Sequence, residues 1–323
     1  MAHMSRRNAL VLGGTAGLAG AAAGAARWWQ SRLPDAARID AAYGVPLTAP
    51  SSPLRVFHLG HSLVGRDMPA MVAQLAGAGH EYHSQLGWGT SLREHWYPDV
   101  PINGHDTENA HDRFRPARAA IASGGYDAVI LTEMVELLDA VKYHDSGTYL
   151  VQWADLARAA NPDTRVYLYE SWHGLDDPAG FLQRLDGDLP ALWEGRLLAA
   201  DLRVDQPRPI HVIPAGQVLA RVVRAIEATP LPGLARRDDL FARTPEGTRD
   251  PIHMNDIGAY LVAVTHCATL YHRSPVGLPY ALRRADGSPA DAPGAQAAAL
   301  IQQLAWEVVT GYRKTGVAAE VTG

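Results

Sequence analysis

Two short segments far apart in the chain carry side chains that could act together in nucleophilic catalysis. The first, Phe57-His58-Leu59-Gly60-His61-Ser62-Leu63, places a serine at the end of a predicted strand. The second, Asp250-Pro251-Ile252-His253, places an aspartate three residues before a histidine. A neutral histidine can take the proton of an attacking serine hydroxyl, and an aspartate can hold the imidazole in the required tautomer. These residue types predict acyl transfer, with Ser62 as nucleophile, His253 as base and Asp250 as its orienter.

Strand and helix patterns alternate through the part of the chain that must position these side chains. Short apolar runs predict strands at 54–59, 81–86, 126–131, 165–169 and 210–213. Helical spacing of apolar residues predicts helices at 68–78, 149–160, 217–226, 255–271 and 295–310. Strands separated by helices predict an α/β fold with a mostly parallel sheet and helices on both faces. Ser62 would then lie at the carboxyl edge, where open α/β sheets bind their ligands.

The N-terminal part of the chain lies outside this alternation. Residues 1–3 precede Met4 and are expected to be a cloning remnant. Residues 4–26 resemble a twin-arginine export signal, because a pair of arginines precedes an uncharged stretch rich in Ala and Gly. A short membrane anchor is the alternative, which the scarcity of Ile, Val and Phe disfavours. We expect an exported protein, periplasmic or secreted, that contacts a membrane only through this segment if it is not cleaved.

Three further divisions follow. Residues 27–53 contain four prolines and are expected to form a linker or an N-terminal arm. The alternating elements define a domain at 54–273, and residues 274–323 form a C-terminal extension with a closing helix.

Composition excludes several classes of function. The chain has 323 residues with 29 Lys plus Arg against 34 Asp plus Glu, a net charge of −5, which argues against a nucleic-acid partner. Its single cysteine, Cys267, excludes an internal disulfide and a cysteine-rich metal site. His58 and His61 are spaced as a His-x-x-His pair, but positions three apart on a strand face opposite sides, so no metal site is assigned.

The two reactive segments resemble the first and last sequence blocks of the SGNH, or GDSL-type, hydrolases. Gly60-His61-Ser62-Leu63 is similar to the Gly-Asp-Ser-Leu block, and Asp250-Pro251-Ile252-His253 is similar to the Asp-x-x-His block. The resemblance covers roughly residues 54–273. It implies a flavodoxin-like three-layer α/β/α sandwich and ester hydrolysis without a cofactor. It also assigns Ser62, His253 and Asp250 the roles that their chemistry suggests.

The resemblance implies an oxyanion hole that this chain matches only in part. The family uses the N–H of the nucleophile, here Ser62, and of a glycine, for which Gly89 fits best and Gly87 is the alternative. An asparagine expected after the strand at 126–131 is absent, and Thr132-Glu133 stands in its place. We expect Thr132 to donate its hydroxyl. Glu133 could donate if burial keeps it protonated, but we favour its accepting hydrogen bonds from the substrate or from the active-site loops.

Aromatic residues in the predicted loops suggest the substrate. Trp88, Trp96 and Trp172 are expected near Ser62, where half-polar rings suit a sugar or another polar, ring-bearing substrate. The sequence therefore predicts a serine esterase for a small acyl group, with acetyl the first expectation, on a small-molecule or glycan ester. The alternatives are an acyltransferase with the same acyl-enzyme and a non-catalytic ligand-binding module.

Overall fold

A computed structural model describes residues 35–203 and 208–318 of the chain. Its main feature is a five-stranded parallel sheet in the order β2-β1-β3-β4-β5, and two further strands form a separate antiparallel pair. The strands are β1 (Arg55–His61), β2 (Glu81–Gly87), β3 (Ala128–Leu131), β4 (Arg165–Glu170), β5 (His211–Pro214), β6 (Phe241–Arg243) and β7 (Arg249–Met254). This strand order is the flavodoxin-like one, so the predicted fold class is confirmed.

Helices cover both faces of the sheet. They are α1 (Ala36–Tyr43), α2 (Asp67–Ala76), α3 (Leu92–Trp96), α4 (His105–Glu108), α5 (Ala117–Ala122), α6 (Leu137–Tyr143), α7 (Ser146–Ala160), α8 (Phe181–Asp188), α9 (Ala199–Asp201), α10 (Ala215–Ala228), α11 (Asp256–Tyr271) and α12 (Ala295–Gly311). A π-helical stretch spans Leu189–Leu198, and 3₁₀ turns span Arg237–Leu240 and Arg313–Thr315. No helix within these described ranges is long and apolar enough to cross a membrane.

The sheet separates two hydrophobic cores. In β3, Ile130 faces the core formed with α2, α10, α11 and α12, whereas Val129 and Leu131 face the core that includes α5 and α7. All four residues of β3 are buried, as expected for a central parallel strand covered on both sides. Burying one such aliphatic side chain contributes roughly 1.5–3 kcal/mol. The central strands are therefore rigid supports for whatever follows their carboxyl ends.

The N-terminal arm is packed against the domain where it is described. Residues 36–43 form helix α1, and the Tyr43 hydroxyl donates to the carbonyl of Ile210 over 2.7 Å. Further along, the Leu47 N–H donates to the carbonyl of Gly316 over 2.8 Å. The predicted cloning remnant and export signal at residues 1–26 lie outside the described residues.

The segment that carries Asp250 and His253 is a strand, which the sequence patterns do not predict. Asp250 and His253 lie on β7, which pairs antiparallel with the three-residue strand β6. Such a short partner and the proline at 251 leave no alternating pattern for sequence reasoning to detect. Directly after β7, Asn255 caps α11 by accepting the N–H of Gly258 over 3.0 Å.

Candidate active site

Ser62 lies at the switch point of the sheet. It directly follows β1, whose neighbours are β2 on one side and β3 on the other. The strand order reverses between β1 and β3, and a crevice opens there at the carboxyl ends of doubly wound sheets. Gly60 lets the end of β1 pack closely against Thr132, because a Cβ at position 60 would lie 2.4 Å from the Thr132 methyl group.

The structure brings the three predicted catalytic residues together. His253 Nε2 lies 3.0 Å from Ser62 Oγ, and His253 Nδ1 lies 2.9 Å from Asp250 Oδ2. With the proton on Nδ1 donated to Asp250, the Nε2 lone pair accepts the hydrogen bond of the Ser62 hydroxyl. The side chain of His253 is 44% exposed and that of Asp250 is 27% exposed. Solvent can therefore reach the base.

Asp250 is held in its ionised form. Partial burial alone would raise its pKa, but the backbone N–H groups of His253 and Ile252, each 2.9 Å from Oδ1, and the His253 ring outweigh burial and lower the pKa. A carboxylate that accepts several N–H groups favours its charged state. Asp250 can therefore stabilise the imidazolium that forms during attack.

Trp172 supports the base rather than forming an exposed substrate wall. Its side chain is 2% exposed, and its Nε1–H donates to the carbonyl of Ile252 over 2.7 Å. A second contact from the same loop, Leu175 N–H to the Pro251 carbonyl, is 2.8 Å long. The indole also lines the cavity beside Ser62, so it is a buried wall of the site. Trp172 therefore lies in the wall of the site near Ser62, as expected, but it is buried and its polar edge holds β7.

Two buried histidines brace the nucleophile. His61 donates through Nε2–H to the carbonyl of Glu133 over 2.8 Å, and His95 donates through Nε2–H to the carbonyl of Gly60, also over 2.8 Å. Burial lowers the pKa of each to about 4, so both rings are neutral at pH 7. Sequence reasoning did not assign either histidine this role. The signal is their position, next to the nucleophile and after the glycine segment.

The N–H groups of Ser62 and Gly89, the expected oxyanion donors, are not engaged elsewhere in the described part of the chain. Among the described residues, neither N–H donates a hydrogen bond to a protein acceptor. Gly89 lies two residues beyond β2, outside the pairing of that strand with β1, and its φ of 57° is a left-handed conformation that favours glycine. Gly87, the alternative, lies inside the pairing, opposite His61.

Thr132 does not serve as the expected third donor. Its side chain is fully buried, and its hydroxyl donates to the carbonyl of Tyr169 over 2.8 Å. A hydroxyl has one proton, which is already engaged here. The prediction that Thr132 completes the oxyanion hole is therefore contradicted by its hydrogen bond.

Glu133 accepts hydrogen bonds from the loops around the site and does not face a substrate. Its side chain is fully buried, and Oε1 accepts the N–H of Leu92 over 3.1 Å and that of Met134 over 2.8 Å. Burial raises its pKa to about 7, against these hydrogen bonds, which lower it. Its backbone carbonyl holds His61, so one residue joins the nucleophile to the segment after Gly89. Of the two hydrogen-bond partners expected for Glu133, the active-site loops are the ones observed, and burial of the side chain excludes the substrate.

The other two tryptophans have separate surroundings. Trp96 packs edge-on against the buried Trp153, with ring centroids 4.9 Å apart, and the Arg118 guanidinium lies 4.5 Å from its ring centre. It belongs to the packing of α3 on α7, which contradicts its predicted place in a substrate wall. Trp88 is 50% exposed and donates through Nε1–H to Glu108 over 2.8 Å, so it presents a ring to solvent beside the Gly89 turn.

Comparison with known proteins finds partial likenesses among solved structures. No protein-family model and no curated protein matches the sequence. A GDSL-like lipase from Parabacteroides merdae is similar in structure, with 14% identity and a TM-score of 0.38 over 65% of this chain and 92% of that one. An acetyl xylan esterase from Butyrivibrio proteoclasticus has 12% identity and a TM-score of 0.30 over 51% and 56% of the two chains. A carbohydrate esterase family 3 protein from Talaromyces cellulolyticus has 15% identity and a TM-score of 0.33 over 67% and 96%.

Proposed function

We propose that this protein is a serine esterase that hydrolyses a small acyl ester, with acetyl as the first expectation, of a carbohydrate or another polar alcohol. The observation that carries the proposal is the unbroken hydrogen-bonded chain from Ser62 Oγ through His253 to Asp250, at 3.0 and 2.9 Å. No cofactor is required for this chemistry.

The reaction follows from this geometry. Ser62 Oγ attacks the ester carbonyl carbon while its proton passes to His253 Nε2, and the N–H groups of Ser62 and Gly89 bind the oxyanion. His253 then protonates the alcohol as the C–O bond breaks, leaving an acyl group on Ser62. Water attacks this acyl-enzyme and gives a proton to His253, and the acid departs as Ser62 regains that proton.

The volume of the cavity beside Ser62 favours a small acyl group. Its volume is about 190 Å³, below the roughly 300 Å³ at which pockets for drug-sized ligands begin. Met68, Ala259 and Val262 line it together with Ser62 and His253. A recess of this size suits a short acyl chain better than a long one.

Labelling and turnover together test the proposal. We expect a fluorophosphonate probe to label the protein and p-nitrophenyl acetate to be hydrolysed, and both signals to vanish in Ser62→Ala. A folded wild-type protein that neither reacts with the probe nor releases acetate is a binding module, and the proposal fails. Transfer of acetyl to an added glycoside in place of release identifies an acyltransferase and overturns hydrolysis as the activity.

Export is the second part of the proposal and rests on the sequence of residues 4–26 alone. A reporter fused after residue 26 should be exported, and replacing Arg6 and Arg7 together by lysine should retain it inside the cell. Unchanged export of the double variant would exclude the twin-arginine route.

A further inference from the structure

We infer that the alcohol part of the substrate is a glycan chain of at least three sugar units, which runs in a cleft from Ser62 to Trp88. The inference rests on the proposed esterase function. It adds two binding subsites beyond the catalytic cavity.

Two further cavities follow the catalytic one, and neighbouring cavities are linked by shared or hydrogen-bonded lining residues. The catalytic cavity of about 190 Å³ shares Gly65, Arg66 and Asp67 with a second cavity of about 780 Å³. The second meets a third, of about 740 Å³, at the hydrogen bond from Trp88 Nε1–H to Glu108, because Glu108 lines the second cavity and Trp88 the third. Each outer cavity has the volume of a pocket for a drug-sized ligand. A short acyl ester of a small alcohol would leave both of them empty.

The lining of the middle cavity contains both hydrogen-bond donors and acceptors. Its charged side chains are three arginines and four acids. The set comprises Arg66, Arg113, Arg284, Asp67, Glu108, Asp112 and Asp286. The charges balance to within one, which disfavours a strongly charged ligand. A sugar hydroxyl both donates and accepts, so a neutral chain of hydroxyl groups matches this lining.

Arg66 occupies the junction of this cleft. It lines both the catalytic and the middle cavity, forms no ion pair among the described residues, and donates one hydrogen bond of 3.3 Å to the carbonyl of Thr107. Arg113 likewise has no acidic partner there and lies 5.0 Å from the ring centre of Tyr82. Both guanidinium groups therefore keep donors for a ligand.

The far cavity contains an exposed aromatic ring, that of Trp88. One face of the Trp88 ring packs on the backbone of Gly104, where a Cβ would lie 2.2 Å from the indole, and the bond to Glu108 fixes its orientation. Tyr97, 43% exposed, lines the same cavity, as do the polar side chains of His105 and Asp106. A rigid ring with polar groups at its edge suits the apolar face of a sugar.

Chain-length dependence tests the inference. Acetate release is measured on O-acetylated xylo-, gluco- and manno-oligosaccharides of one to five units. We expect kcat/KM to rise by about tenfold from one unit to three for the preferred sugar. Trp88→Ala should remove most of this rise, and Trp88→Phe should keep most of it. The matched control is Tyr143→Ala, an exposed aromatic residue that lines none of the three cavities; it should leave the rise intact.

Other outcomes separate this inference from the proposed function. Equal kcat/KM at every chain length overturns the cleft but leaves the esterase. A loss in Trp88→Ala by the same factor at every length also overturns it, because Trp88 would then act only through the Gly89 turn. A rise with the length of the acyl chain of p-nitrophenyl esters, but not with sugar number, would assign the cavities to a lipid chain. Absence of labelling at Ser62 and of any acetate release would instead reject the esterase itself.

Discussion

The nucleophile and the base are held by very different surroundings. Ser62 is braced by His61, His95 and Glu133, whose side chains are 1%, 4% and 0% exposed, at the end of a central strand. His253 lies on a two-stranded pair outside the main sheet and is 44% exposed. The core therefore determines where Ser62 lies, whereas a few polar contacts determine where His253 lies. Substitutions near His253 should therefore reduce activity with little loss of stability. Substitutions around His61, His95 and Glu133 should reduce stability with little loss of activity.

Among substitutions that leave Ser62 in place, the largest effect is expected for Asp250→Asn. An amide NH₂ cannot accept the His253 Nδ1–H, so the ring is held in the wrong tautomer and kcat should fall by about 10³- to 10⁴-fold. Because Asp250 is partly exposed, the melting temperature should change little. Kinetics on p-nitrophenyl acetate and a thermal melt measure both. A large loss of stability would contradict the conclusion that substitutions near His253 affect activity more than stability.

Trp172→Phe should give an intermediate effect. The variant keeps the ring in the buried wall but loses the hydrogen bond to the Ile252 carbonyl, which is worth about 1 kcal/mol. We expect kcat to fall by about fivefold because His253 is held less firmly. The rate of labelling of Ser62 by a fluorophosphonate should fall in parallel. If the labelling rate is unchanged, Trp172 does not position the base.

Glu133→Gln tests how the buried carboxyl group of Glu133 makes the free energy of unfolding depend on pH. Because the pKa of Glu133 is raised from 4.5 to about 7 in the folded state, that state binds more protons than the unfolded chain between these values. Its contribution to stability is therefore present below pH 4.5 and is lost as the pH rises through 7. The free energy of unfolding of the wild type relative to Glu133→Gln should fall across this range, as measured by urea titration. A flat or rising difference would show that Glu133 stays ionised in the folded protein.

Thr132→Val should have the smallest effect on catalysis. Its hydroxyl is bound to the Tyr169 carbonyl, so its loss costs about 1 kcal/mol of stability and should leave kcat within about threefold of the wild type. Removing a true oxyanion donor costs roughly 10²- to 10³-fold in kcat. A drop of that size at unchanged stability would restore Thr132 to the oxyanion hole.

Much of the fold was predictable because its central strands are short apolar runs bounded by helices. Val129 and Leu131 are typical: their burial on one face and that of Ile130 on the other give a continuous apolar stretch. The β6–β7 pair was not predictable, since β6 has three residues and its partner contains a proline. Trp96 and Trp172 show the same limit for the site. Both lie in the expected segments, but whether an indole faces solvent or the interior depends on neighbours that are distant in sequence.

The sequence by itself identified Ser62, Asp250 and His253 as the candidate catalytic residues, because side-chain type and order carry that information locally. It also determined the place of Ser62 at a strand end, through the alternation of apolar runs. Only the tertiary structure decided that Glu133 and His95 are buried braces, and that Trp88 alone of the three tryptophans presents its ring to solvent beside the site. Burial and hydrogen-bond partners arise from contacts between segments far apart in the chain, and no local pattern specifies them.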